Sequence, residues 1–317
     1  MHLELNIDLY KKYNNDLIHL TSNELTEHYN KIGKYQMRLY FEPSLFKKEK
    51  VYIFTTKFGY YLSNVLRYIL FKNFIISHLI EHIDIHNKSL HIIPFSQKVK
   101  QFPKNYIIYQ LEQKDISKWI DKKYELSILY SKETWDYSKS NIEKFSTILQ
   151  KKIKYVPISI IPINYWNMFI NLDIIPQNNI LFYGSMNVIR EEKLNYLQQK
   201  LAPKYYIKIV KDKFGSDLFN EILNSKIILN IHFYENAILE TYRLNEALSC
   251  GKIIISEKPN QIDDYNYQLY NEKKVIFINN MDSMVEQIIY ILDNNVLPSK
   301  DIKMETFDVN LNFSNLI

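Results

Sequence analysis

The chain of 317 residues carries 46% hydrophobic and 24% charged side chains and a net charge of +5, the balance of a folded protein large enough for two cores rather than a disordered one. Its single cysteine, Cys250, excludes an internal disulfide framework and a cysteine-rich metal site, and fits a reducing, cytoplasmic compartment. Residues 1–160 hold 25 Lys and Arg against 16 Asp and Glu, and residues 161–317 hold 15 against 19; the basic half either meets an anion or simply presents solvated lysines.

The opening MHLELNIDLYKK meets acids before an apolar run can form and does not read as a signal peptide. The most apolar long window, NVLRYILFKNFIISHLI, is interrupted by Arg67, Lys72 and His78 and does not read as a membrane span. Abundant Tyr (26) and Phe (17), with many Ile, Lys and Asn, match an AT-rich coding genome. Residues 1–50 alternate short amphipathic stretches with polar breaks, which predicts a helical extension.

From VYIFTT (51–56) apolar runs alternate with periodic helices. A helix is predicted over 60–71, strands at FIISHLI, LHIIPF and NYIIYQLEQ (105–113), and a helix through ISKWIDKKYELSILY. ETWDYS, a helix across NIEKFSTILQ and the strand IKYVPI complete the first series. Pro157, Pro162 and Pro176 then punctuate residues 157–179, as an interdomain connection would be. The alternation restarts with NILFYG, REEKLNYLQQKLA, YYIKIV, SDLFNEILNS and KIILNIHF. A helix into KIIISE follows, then KVIFINN and MDSMVEQIIYILDNN. The pattern predicts two α/β domains with parallel sheets, 51–165 and 166–300, behind the extension 1–50.

In open parallel sheets ligands sit beyond the carboxyl ends of strands, near helix N-termini. In the second half the loops GSMNVIR, KDKFGS and HFYENA occupy such positions. Gly184 and Gly215 stand just past strands, where backbone can approach a phosphate, and Gly251 reads as a left-handed helix cap. No G-x-G-x-x-G or Walker sequence occurs. Glu240, Arg243 and Glu246 fall at three-residue steps, covering about a 120° arc of a helix. An arginine fork suits a diphosphate and a carboxylate suits the paired hydroxyls of a ribose or sugar, while the same spacing also serves an exposed helix with i,i+3 ion pairs.

The strand KIILNIHF, the helix ending RLNEALSCG and the strand KIIISE resemble the donor-binding half of GT-B glycosyltransferases. FYGSMNVIR is similar to that family's glycine loop with its basic residue. In the first half YQLEQ and WDYSKSN resemble segments of short members, some from large DNA viruses and bacteria. The likeness covers residues 180–258 and, less closely, 105–160. It implies two Rossmann-like domains facing a cleft, a strap at 301–317 returning to the first domain, and sugar transfer from a nucleotide-sugar, UDP- or GDP-linked, to a glycan, lipid-linked or other hydroxyl acceptor. The compartment would be the host cytoplasm for a viral member. Glu246 takes the position that contacts the nucleotide ribose.

The donor set so defined is Gly184, Ser185, Asn187, Arg190, Lys211, His232, Tyr234, Asn236, Glu240, Arg243, Asn245 and Glu246. His232 equally reads as a core-edge histidine, Asn236 as a helix N-cap and Lys211 as a surface lysine. Many retaining members carry two glutamates eight apart. Here Ile238 stands eight before Glu246, with Glu235 and Glu240 off register, so the stereochemistry stays open. No D-x-D occurs, which matches transfer without a metal, basic side chains and helix N-termini holding the diphosphate. An inverting reaction needs a base from the first domain; Glu112 is the candidate, with Asp136 the alternative, and either acid also suits a cap.

Three rivals remain. HLIEH (78–82) matches an inverted zinc-peptidase motif, but it falls in a strand-like run where two histidines four apart cannot grip one ion. A non-catalytic GT-B-like scaffold binding glycan or protein would explain the missing glutamate pair. Nucleic acid is not expected as a partner, since no binding motif accompanies the basic half, whereas peripheral membrane contact fits its charge.

Overall fold

The computed structural model describes residues 5–33, 38–40, 42–161, 176–235, 237–259, 270 and 275–297. The segments 162–175 and 298–317, which hold most of the expected connection and the expected strap, lie outside the described residues, as does Asn236.

Two short helices open the chain, α1 (Ile7–Tyr13) and α2 (Ser22–His28). Asn6 caps the first, and a reciprocal capping box of Thr21 and Glu24 starts the second. Tyr10, Leu17, Leu25 and Tyr40 form their small core, which meets Phe71 and Phe74 of the first α/β unit.

The first sheet is built from β1 (Lys50–Phe54), α3 (Tyr60–Lys72), β2 (Ile76–Ile80), β3 (Leu90–Pro94), β4 (Tyr106–Gln110), α4 (Lys122–Tyr130), β5 (Glu133–Asp136), α5 (Lys139–Ile142), α6 (Thr147–Gln150) and β6 (Ile153–Tyr155). Its six parallel strands run in the order β2-β1-β3-β4-β5-β6. β3 and β4 are buried along their whole length, which is why LHIIP and YIIYQ read as continuous runs.

Two local expectations change. The helix expected from Ile116 starts only at Lys122, because Asp121 caps it by accepting from Tyr124 N at 2.8 Å. The helix expected across 141–150 splits into α5 and α6, and Gln150 Nε2 donates to Glu143 O and Phe145 O across the break. HLIEH, expected in a strand, begins on β2 and ends in a bend, with no helix to gather its histidines.

The second sheet comprises β7 (Asn178–Tyr183), α7 (Val188–Leu201), β8 (Ile207–Val210), α8 (Gly215–Leu223), β9 (Ser225–Asn230), α9 (Thr241–Ser249), β10 (Ile253–Glu257), β11 (Val275–Ile278) and α10 (Met281–Asp293). Its order is β11-β10-β9-β7-β8, again all parallel. Each sheet therefore reverses its winding once, between β1 and β3 and between β7 and β9, and crevices open beyond those strand ends.

One apolar cluster runs from Ile53 and Trp135 through Tyr61 and Leu244 to Leu181 and Ile228, joining the two units. Tyr61 meets Tyr242 edge to face at 5.9 Å, and Asn245 Nδ2 donates to Ile158 O at 2.7 Å. A second cluster lies on the other face of the second sheet, under α7 and α10. Gly251 ends α9 at φ +68°, with Lys252 N on Ala247 O and Gly251 N on Leu248 O, the paired bonds of a left-handed glycine cap.

Candidate active site

A cavity of about 410 Å³ lies where the carboxyl ends of both sheets meet. Lys57, Phe58, Phe95 and Leu111 to Gln113 line it from the first sheet, and Gly184, Arg190, Lys211, Phe233 and Glu240 to Arg243 from the second.

The second-sheet wall is assembled around two guanidiniums. β7 ends in Gly184, whose φ is +132°. A Cβ there would stand 2.8 Å from Arg243 Nη2 and push the guanidinium aside, and the backbone conformation itself favours glycine. Asn187 caps α7 by accepting from Arg190 N at 2.9 Å, and its amide donates to Phe233 O at 2.6 Å, tying together the loops after β7 and β9. This places Arg190 in the first turn of α7, 1% exposed. Its Nε donates to Ile231 O (2.9 Å), its Nη1 to Ser185 O (2.7 Å) and its Nη2 to Glu240 (3.2 Å), while Phe182 and Phe233 cover the plane.

Glu240 is the N-cap residue of α9 rather than part of its helical arc. Its carboxylate also takes Arg243 Nη1 at 3.3 Å and has His232 Nδ1 at 3.8 Å. Burial pushes this acid up, but Arg243, His232 and Arg190 outweigh it and hold it at about 2. Burial and the neighbouring Arg243 pull Arg190 down to about 9, against Glu240 and Glu257, so Arg190 stays charged at neutral pH.

Glu246, two turns along α9, reaches the same cavity and is 6% exposed. Burial pushes its carboxyl up to about 8, against the pull of Arg243, Tyr242 and Tyr183. The two tyrosines already donate their protons to backbone, Tyr183 to Arg243 O (3.0 Å) and Tyr242 to Phe58 O (2.6 Å).

On the first-sheet wall Glu112 follows β4. Gln110 grips its backbone from both sides, accepting from Glu112 N at 2.7 Å and donating to Glu112 O, and Asn141 Nδ2 donates to the same carbonyl at 2.9 Å. The carboxyl accepts from Gln97 Nε2 (2.8 Å) and Ser117 Oγ (2.7 Å). Burial raises it, with Ser117 and Lys98 pulling the other way. The alternative acid, Asp136, is fully buried beneath it and pushed up to about 7 by burial, although Ser138 N and Asn141 Nδ2 donate to it. It braces Asn141 and is not on the cavity wall.

Of the residues singled out from sequence, Glu112, Gly184, Ser185, Arg190, Lys211, Tyr234, Glu240, Arg243 and Glu246 line the cavity. Three described ones do not. Asn187 braces loops. Asn245 points into the core, where its amide donates to Ile158 O and its carbonyl accepts from Tyr270 at 2.6 Å. His232 is buried behind Glu240, its backbone N on Glu257 Oε2 at 2.7 Å. Sequence reasoning missed Lys57, Phe58 and Phe95, although they follow the two strands where the first sheet reverses. Among the described residues no cluster of three or more His, Cys, Asp or Glu side chains could hold a metal ion.

No family model matches the chain, and no curated protein matches its sequence. Solved structures do resemble it. An alpha-glucosyltransferase in complex with UDP and a 13-mer DNA containing a HMU base superposes with a TM-score of 0.55 at 12% identity, over 81% of this chain and 93% of that one. A second alpha-glucosyltransferase complex, with UDP and a 13-mer DNA containing a central A:G mismatch, gives 0.53 at 12% identity, over 84% and 99%. TarM gives 0.45 at 12% identity over 80% of this chain, which spans only 57% of the TarM chain. The protein has the GT-B fold, two Rossmann-like α/β units facing a cavity.

Proposed function

We propose that the protein is a glycosyltransferase that moves a sugar from a nucleotide-sugar, UDP- or GDP-linked, to a hydroxyl of a glycan or other acceptor without a metal ion. One observation carries this reading. Arg190 and Arg243 share a single carboxylate, Glu240, at 3.2 and 3.3 Å, and burial disfavours the charged form of the nearby Glu246, so the wall keeps positive charge that a diphosphate neutralises.

In this reading Arg243, backed by Gly184 and Arg190, holds the diphosphate, and Glu246 contacts the ribose. For an inverting reaction Glu112 takes the proton of the acceptor hydroxyl as its oxygen bonds to the anomeric carbon. The bond from that carbon to the diphosphate oxygen breaks, and the arginines stabilise the departing charge. UDP is the first nucleotide to try, since both alpha-glucosyltransferase structures contain it.

A second reading, a non-catalytic scaffold, is favoured by Ile238. It stands eight residues before Glu246, is buried, and its N–H donates to Gln113 Oε1 at 3.0 Å, so a contact between the two units occupies that position. Calorimetric titration with UDP, GDP, dTDP and CMP, without metal, separates the two. The transferase reading expects one nucleotide to bind and Arg243→Ala and Glu246→Ala each to weaken it. No binding by the folded protein, with metal and acceptor glycans also tried, selects the scaffold.

A further inference from the structure

Each partner of the Glu112 carboxyl is followed in the chain by a member of an exposed patch. Gln97 precedes Lys98, and Ser117 precedes Lys118 and Trp119. Ser117 Oγ, which donates to Glu112, also accepts from Trp119 N at 3.3 Å. The indole, two residues past the serine that holds Glu112, is 43% exposed. The ammonium groups of Lys98 and Lys118 lie 4.8 and 5.5 Å from the ring centroids. Such cation–π contacts at exposed sites are worth only about 0.5–1 kcal/mol each, so a bound anion displaces the lysines readily.

The patch lacks internal counter-charge. Residues 97–123 hold seven lysines, no arginine and three acids. Asp115 pairs with Lys144 (3.1 Å) and Asp121 caps α4, while Glu112 is hydrogen-bonded inside the cavity. Lys114 has Glu125 at 2.8 Å; Lys98 attracts the Glu112 carboxyl from a distance, and among the described residues neither Lys98 nor Lys118 forms an ion pair.

We propose that Lys98, Trp119 and Lys118 form the docking surface for an anionic glycan, one sugar ring stacking on the indole and its neighbouring carboxylates or phosphates meeting the lysines, so that an acceptor hydroxyl reaches Glu112. This rests on the transferase reading above. The apolar C–H face of a pyranose covers one indole, as a flat amphipathic ring favours. A nucleic-acid strand stacks successive bases on successive rings and draws on arginine forks for its phosphates; this patch offers one indole and no arginine.

Trp119 supplies its own readout. Tryptophan emission of the full-length protein is titrated with a hyaluronan hexasaccharide, a phosphorylated mannose oligosaccharide, neutral chitohexaose and oligo-dT, and Trp119→Phe assigns the signal. The proposal expects saturable quenching by an anionic saccharide at least about tenfold tighter than by the neutral one. Lys98→Ala and Lys118→Ala should each weaken that binding several-fold, and Trp119→Ala should weaken it further. In all three variants the unfolding midpoint and the UDP titration should match the parent's. Failure of both anionic saccharides to quench, unchanged binding in the variants, or tighter binding of oligo-dT overturns the proposal. If the saccharide binds as expected while the parent binds no nucleotide, the docking surface stands and the donor reading falls.

Discussion

Arg190 and Arg243, on the second-sheet wall, are held in place by Ser185 O, Ile231 O, Asn230 and Glu240, the bonds of Arg243 running from its Nη1, whereas Lys98 and Lys118, on the first unit, rest against one exposed indole. Both regions are cationic, yet the first is buried and pre-set and the second is solvated and free to move. Buried charge held in fixed geometry suits a ligand whose phosphates always fall in one place, because no reorganisation is needed on binding. Loose surface charge suits a ligand whose anionic groups vary in position, at the cost of being screened by salt. The two acids differ in the same sense. Glu240 is held by cations at about 2, while Glu112 is held by neutral donors, Gln97 and Ser117, and raised by burial, as a proton acceptor requires.

The largest expected effect is on the pre-set wall. Glu240→Ala leaves two buried guanidiniums facing each other, and denaturant unfolding should show a loss of about 3–5 kcal/mol, as when one partner of a buried pair is removed. A loss below about 1 kcal/mol would mean that water reaches both arginines freely. Glu112→Gln should instead spare stability and nucleotide affinity and lower turnover by about 10²-fold or more, read as nucleoside diphosphate released from the sugar nucleotide that the protein binds. Equal loss of affinity and turnover would move Glu112 to the donor side.

Glu246 sharpens the contrast through pH. Its folded-state value of about 8 lies above the usual carboxyl value, so the folded chain keeps a proton that the unfolded chain has lost. The stability it contributes is present below about pH 4.5 and declines, by up to roughly 1.4 kcal/mol per unit, as pH rises to about 8. Glu246→Gln should flatten that decline; parallel stability curves for parent and variant would contradict it. Smaller still, Gly184→Ala strains φ +132° and presses on Arg243. It should cost about 1–3 kcal/mol in thermal unfolding, with weaker nucleotide binding and no change at the lysine patch.

Much of this architecture was legible in the sequence. Runs such as LHIIP, YIIYQ and KIILN read as strands because they are buried on both faces, and the order of elements then located the second-sheet loops. Gly251 was readable as a cap because a small residue ended an apolar helical face. Local pattern failed where a distant partner decides. ISKWI carries a helical spacing, yet Ser117 serves Glu112 and Asp121 starts the helix. Glu240 was placed on the helical arc although it stands just before the helix and answers to Arg190, fifty residues away. Asn245 shares a helix with Arg243 but turns to Ile158, a contact between the two units that no spacing rule encodes.

The central claim is that Arg190 and Arg243 hold a diphosphate, and comparing UDP with UMP by calorimetry in the parent and in Arg243→Ala tests it most directly. The account predicts that the parent prefers UDP by at least about tenfold, close to 1.4 kcal/mol, and that the variant, shown folded by its far-UV spectrum, loses most of that preference. A preference of the same size in both proteins would place the terminal phosphate elsewhere and contradict it.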